Sequence, residues 1–264
     1  MKSMRRDVMA CAAALVAMAG LSGFVEPPVE PAKEARPTAD AGTAKNEGIA
    51  EVFPFVRVDR EARAIEIDAE VPVDAHQFDA KTGKRLDVFL EVVLCSRDTK
   101  EHEALAVTKA RPSDVHAALL LLGLEPGRPG AWSPDPSTKR MMPTEPLGPE
   151  LEVMMIYDLP SGERIRVPAA SLARRVPGGE TLAEAANVSG GWVFAGSVER
   201  ERQGAKVYAA DDEGTIVGLT TFGTETVAWR GMYSPQESVH APEWAAAEAL
   251  PPRGTKVVVR ITAK

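Results

Sequence analysis

The chain has 264 residues, 44% hydrophobic and 26% charged, with a formal net charge of -7. This composition supports a folded body with its own core and excludes a fibrous or wholly disordered chain. The acidic balance, stronger still once the positive leader is set aside, disfavours phosphate backbones, so nucleic acid is not expected as a partner.

Lys2, Arg5 and Arg6 precede an uncharged run from Val8 to Val25 rich in Ala, Met, Leu and Val, and Ala17-Met18-Ala19 before Gly20 fits the small-residue rule of signal peptidase. Residues 1–25 read as a signal peptide. An uncleaved N-terminal anchor is the alternative, because the run reaches the lower length limit of a membrane span. This predicts a periplasmic or secreted protein, tethered to the inner membrane only if the leader is retained. Cys11 lies in the leader, so the processed chain keeps Cys95 alone and forms no intramolecular disulfide. Val92-Val93-Leu94 before it predict a buried thiol.

Residues 26–48 mix Pro, Ala, Glu, Lys and Thr with almost no large apolar side chain, and such a segment cannot bury enough surface to offset its ordering entropy. It reads as a disordered linker, leaving 49–264 as a single domain. In that domain Phe53 to Asp59 and Ala64 to Val71 alternate apolar and polar residues around a turn-like Asp59-Arg60-Glu61-Ala62, predicting an opening hairpin. Asp87 to Cys95 reads as the next strand, and His76 as a solvated loop residue.

The stretch from Leu94 to Gly127 carries the chemistry-bearing residues. Ser113 and Asp114 suit a helix start, and Gly123 and Pro126 a stop, predicting a helix over Asp114 to Leu122. Val115, Ala118, Leu119 and Leu122 form an apolar stripe that Leu120 and Leu121 extend nearly around the helix, so burial at the centre of the core is expected. Cys95, His102, Glu103 and His116 match no tight zinc spacing, and adjacent His102 and Glu103 cannot readily face one ion, so no metal and no cofactor is expected. Lys100 and His102 would share a face if extended, and Lys109 and Arg111 just before a helix N-terminus suit an anion or an internal carboxylate such as Glu103. Lys100, His102, Glu103, Arg111 and His116 are therefore the candidate ligand-binding residues, and His102, Glu103 and His116 the catalytic candidates should the protein be an enzyme.

Lys100, His102 and Glu103, then Pro112, His116, Ala117, Leu119, Leu120, Gly123, Pro126 and Gly127, resemble the signature of the YdjY-domain family of exported bacterial proteins. The likeness continues through Gly191 to Ser197, Tyr208, Ala210-Asp211, Gly214 and Gly254-Thr255. It implies an exported domain from about Val52 onward and carries no established activity. A ferredoxin-like description attached to the family does not transfer, because one mature cysteine cannot supply the four thiolates of an iron-sulfur cluster.

Beyond it, the Pro-rich 128–149 reads as an irregular cover containing Trp132, Leu151 to Tyr157 and the return through Ile165 and Val167 as a hairpin, and Pro168 as the start of a short helix. Trp192 to Val198, Lys206 to Ala210 and Ile216 to Thr220 read as a three-stranded meander, with Asp211 to Gly214 as a turn. A short helix is expected within 242–250, after His240, and a paired strand at Val257 to Ile261. The expected fold is α+β, mainly antiparallel sheet with one central buried helix and a few short helices. The expected role is a noncatalytic envelope module for a small anionic ligand or an envelope protein, with membrane contact only through a retained leader. The rival is a metal-dependent or His/Glu-based hydrolase centred on Lys100, His102 and Glu103, which requires a pocket joining them to His116.

Overall fold

The computed structural model describes residues 38–39, 48–189, 191–236 and 243–264. The leader and His240 lie outside the described residues, as does the linker segment apart from Thr38–Ala39 and Gly48. Thr38–Ala39 pair antiparallel with the edge of Arg164–Pro168.

Eight strands form a closed barrel: β1 (Ala64–Glu70), β2 (Val92–Ser96), β3 (Ala104–Thr108), β4 (Glu150–Asp158), β5 (Trp192–Phe194), β6 (Thr215–Gly218), β7 (Val227–Trp229) and β8 (Lys256–Ala263). Around the barrel the order is β1, β3, β2, β6, β7, β5, β4, β8 and back to β1. The expected α+β class, a mainly antiparallel sheet around a central helix, is thereby corrected. Among the described residues 42% are strand and 13% helical, and β2–β3 and β6–β7 are parallel.

Alternation drives the closure. Ile65, Ile67 and Ala69 of β1 lie opposite Ile261, Val259 and Val257 of β8, which in turn face Val153 and Met155 of β4, and all are buried in one core cluster. The intervening positions carry charge: Arg260 of β8 lies opposite Glu66 of β1, 2.6 Å away, and also reaches Asp59 at 3.0 Å. A period of two thus sorts apolar and charged side chains onto the two faces of one sheet. On the other side of the barrel Trp192 of β5 and Trp229 of β7 are in register, their rings edge-on at 4.7 Å.

The helix α1 spans Pro112–Leu121, with Pro112 at its first turn and Arg111 as its N-cap in place of the expected Ser113. It buries Pro112, Val115, Ala118 and Leu119 against the core, but Leu120 is 46% and Leu121 42% exposed. The central-helix expectation fails for a physical reason. A closed sheet fills its own interior, so a helix added to it needs only one apolar face.

The predicted opening hairpin forms as Val56–Asp59 with β1, extended by Ile49–Phe53. The β4 hairpin returns through Arg164–Pro168 as expected, and a 3₁₀ turn at Ala169–Leu172 follows Pro168. The Pro-rich cover contains a hairpin, Ala131–Pro134 with Met141–Thr144. The predicted meander does not form. Its middle part is a separate hairpin, Glu199–Arg202 with Ala205–Tyr208, and the Asp211 turn belongs to a short helix α2 (Ala209–Glu213). Trp244–Ala246 is a strand where a helix was expected.

Candidate functional site

Both parallel pairs are joined by short returns, 97–103 between β2 and β3 and 219–226 between β6 and β7. Parallel neighbours usually need longer crossovers. Here each return folds back tightly, the first through a 3₁₀ turn at Glu101–Glu103, and side chains bind the two together. Lys100 Nζ donates to the Glu213 carbonyl at 3.0 Å and sits 4.6 Å from the centroid of the Phe222 ring in the other return. Glu91, just before β2, accepts from the backbone N–H groups of Leu219 and Thr220 at 3.0 and 2.9 Å, and its own N–H donates to the Glu103 carbonyl at 3.0 Å.

Two carboxyl groups at these returns hold protons near neutrality. Burial, then the adjacent Glu103 carboxylate, pushes Glu91 up to about 7, with Lys100 opposing. Burial pushes Glu225 up to about 7 as well, against the N–H groups of Phe222 and Thr224 that donate to its carboxylate at 2.9 and 2.6 Å. Sequence reasoning missed both, because nothing in the residue pattern marks a short parallel return.

His116 lies in a different cluster. Its Nδ1 is 2.9 Å from the Tyr208 hydroxyl, which donates to the Gly196 carbonyl at 3.2 Å and lies 3.1 Å from Thr226 Oγ1. Burial holds the His116 imidazole below its ordinary value, the Gly196 carbonyl opposing, and pushes the Tyr208 phenol up to about 12. Gly196 adopts φ 84°, and a Cβ there would stand 2.3 Å from Pro126 Cβ, so no larger residue fits between Pro126 and His116. Ser197, also at positive φ, is held by accepting the Ala210 N–H at 3.2 Å.

Arg111 pairs with Asp211 of α2 at 2.7 Å, and the other oxygen of that carboxylate accepts the Ser113 N–H at 2.8 Å. An internal carboxylate therefore occupies the α1 N-terminus, as one sequence reading anticipated, but it is Asp211 rather than Glu103. His102 is exposed on its turn and 3.7 Å from Glu103. Cys95 is fully buried and its thiol is pushed up to about 11 by burial. The five candidates thus fall into three separate settings: Lys100 and Glu103 at the returns with His102 exposed beside them, Arg111 at the helix start, and His116 under Tyr208. Among the described residues no group of three or more His, Cys, Asp and Glu is placed to hold a metal ion.

Of the openings beside these clusters, two have charged side chains in their lining. The larger, about 620 Å³, has Val71, Val73, Val88 and Val107 in its walls, with His102 and the charged Arg97, Arg253, Glu70, Asp74 and Glu101 around them. The smaller, about 260 Å³, is lined by Ser96, Arg97, Thr108, Lys109, Arg111 and Asp211 among others. Arg97 was not among the sequence candidates for ligand contact, and Lys109 entered the sequence reading only through its place before the helix. Only Lys109's position beside Arg111 offered a signal.

The family model of the YdjY domain matches residues 56–262, so the chain belongs to the YdjY-domain family. No curated protein and no solved structure matches it.

Proposed function

We propose, from membership of a family that brings no assigned activity, that this protein is a noncatalytic binding module of the cell envelope. One observation carries the reading. Lys100, Glu103, Arg111 and His116 each have an internal partner, whereas His102 stands exposed beside an open, mixed apolar and charged groove of about 620 Å³. A groove with an apolar wall and a few charged groups suits recognition. A His/Glu hydrolase needs its base, acid and substrate position in mutual reach, and Lys100, His102, Glu103 and His116 do not line a common opening among those described. Export rests on the basic leader and its Ala17-Met18-Ala19 site.

The test is an assay of the purified protein against ester, phosphoester, glycoside and peptide substrates between about pH 5 and pH 8, with and without added zinc, beside His102→Ala matched for thermal stability. No turnover in either protein is expected. Turnover that the wild type shows and the variant lacks overturns the reading and installs the hydrolase.

A further inference from the structure

The smaller opening has a charge pattern that the fold itself does not use up. Three cationic side chains, Arg97, Lys109 and Arg111, line it against the single carboxylate of Asp211. Each cation is only partly engaged. Arg97 is 49% exposed and 3.8 Å from Glu70, a carboxylate already paired with Lys256. Arg111 keeps 68% of its side chain exposed while pairing with Asp211. Lys109 is exposed and has no carboxylate partner among the described residues, only the Phe55 ring at 5.8 Å from its Nζ. Ser96, in the same wall, has a buried hydroxyl without a hydrogen-bond partner. The N-terminus of α1 is not the binding element here, because Asp211 already accepts the Ser113 N–H.

Building on the binding-module reading, we infer that this opening is a site for a dianionic phosphate group, free or carried as a monoester, held between Arg97, Lys109 and Arg111. The lining carries two more positive charges than negative ones, which matches a dianion better than a simple carboxylate. Three cations in one opening stand against the acidic balance of a chain with net charge -7. Arg97 also lines the larger groove and is the one residue common to the linings of the two openings. Both free phosphate and a phosphate monoester present the same dianionic group to these cations, so either can be its source.

The experiment is calorimetric titration of the purified protein at low ionic strength and about pH 8, where phosphate is mostly dianionic. The probes are inorganic phosphate, phenyl phosphate and acetate. Lys109→Ala is compared with Lys81→Ala, which removes the same charge from an exposed turn outside both openings. Saturable binding of inorganic phosphate or phenyl phosphate by the wild type is expected, weakened about tenfold in Lys109→Ala and unchanged in Lys81→Ala. Tighter binding of phenyl phosphate assigns the ligand to organic monoesters, and equal binding assigns it to free phosphate. Absence of binding by both phosphates, equal binding by Lys109→Ala, or equal affinity for acetate overturns the site. Release of phenol overturns the noncatalytic reading while leaving the site in place, so the two failures are distinguishable.

Discussion

The Lys100 ammonium sits 4.6 Å from the centroid of the Phe222 ring and so fastens the return after β2 to the return after β6. The same ammonium donates to the Glu213 carbonyl at the end of α2, bringing a third element to the point. Lys100 is a fastening residue whose burial brings a charge close to the raised Glu91 carboxyl.

Lys100→Gln is accordingly expected to destabilise the fold by about 1 to 2 kcal/mol, through the lost cation–π contact and the lost hydrogen bond to Glu213. Urea unfolding of the variant measures it. A loss within a few tenths of a kcal/mol would mean that the two returns hold together without the ammonium.

Glu91 supplies a pH dependence whose sign is determined. Its folded pKa, about 7, lies above the ordinary 4.5, so the native state holds the extra proton. That contribution is complete below about pH 4.5 and is lost as pH rises through about 7. Glu91→Gln keeps a neutral side chain throughout and should become the more stable protein at about pH 8, by roughly 1 to 2 kcal/mol after allowance for solvent screening. Glu225 keeps its own slope in the variant, so the profile flattens only in part. Thermal unfolding of both proteins across this range checks the prediction, and parallel profiles refute it.

Tyr208→Phe removes the one hydroxyl that reaches His116 Nδ1, the Gly196 carbonyl and Thr226. Leaving the buried Gly196 and Thr226 and the half-buried His116 without that partner should cost about 1 to 3 kcal/mol. The depressed His116 pKa adds a sign: its stabilisation is present above the ordinary value of 6.5 and is lost as pH falls through the lower folded value. His116→Asn should therefore lose the steepening of acid unfolding that the wild type shows.

Asp211→Asn is expected to act in two directions. Removing the negative charge at the start of α1 weakens both the Arg111 pair and the cap on Ser113, costing about 1 kcal/mol of stability. It also removes the only carboxylate from the lining of the smaller opening, so phosphate should bind several-fold tighter. Calorimetric titration with phosphate, paired with urea unfolding, separates the effects. A variant that is less stable and binds no better shows that Asp211 acts on the helix alone.

Much of the strand content was legible because alternation has a direct physical reading. Ile65, Ile67, Val257, Val259 and Ile261 announce faces of period two, and all five are buried in the barrel core. The position of α1 was legible from Pro112, Gly123 and Pro126, but its degree of burial was not, because Leu120 and Leu121 carry no mark of which neighbours will cover them. The candidate site was legible only as a set of residue types. His102 and Glu103 adjoin in sequence and in space, yet Glu103 turns to Glu91 and His102 to solvent.

By itself the sequence determined the family, the burial of Cys95, the strand faces of the first and last barrel strands, and the helix near Pro112. These follow from local pattern, where spacing alone decides which face a side chain joins. Only the tertiary structure decided that the sheet closes, that β2–β3 and β6–β7 run parallel across short returns, and that Arg97, Lys109 and Arg111 share one opening. The reason is that strand partners and charge neighbours are long-range pairings, chosen by which faces can be buried together and not by any spacing along the chain.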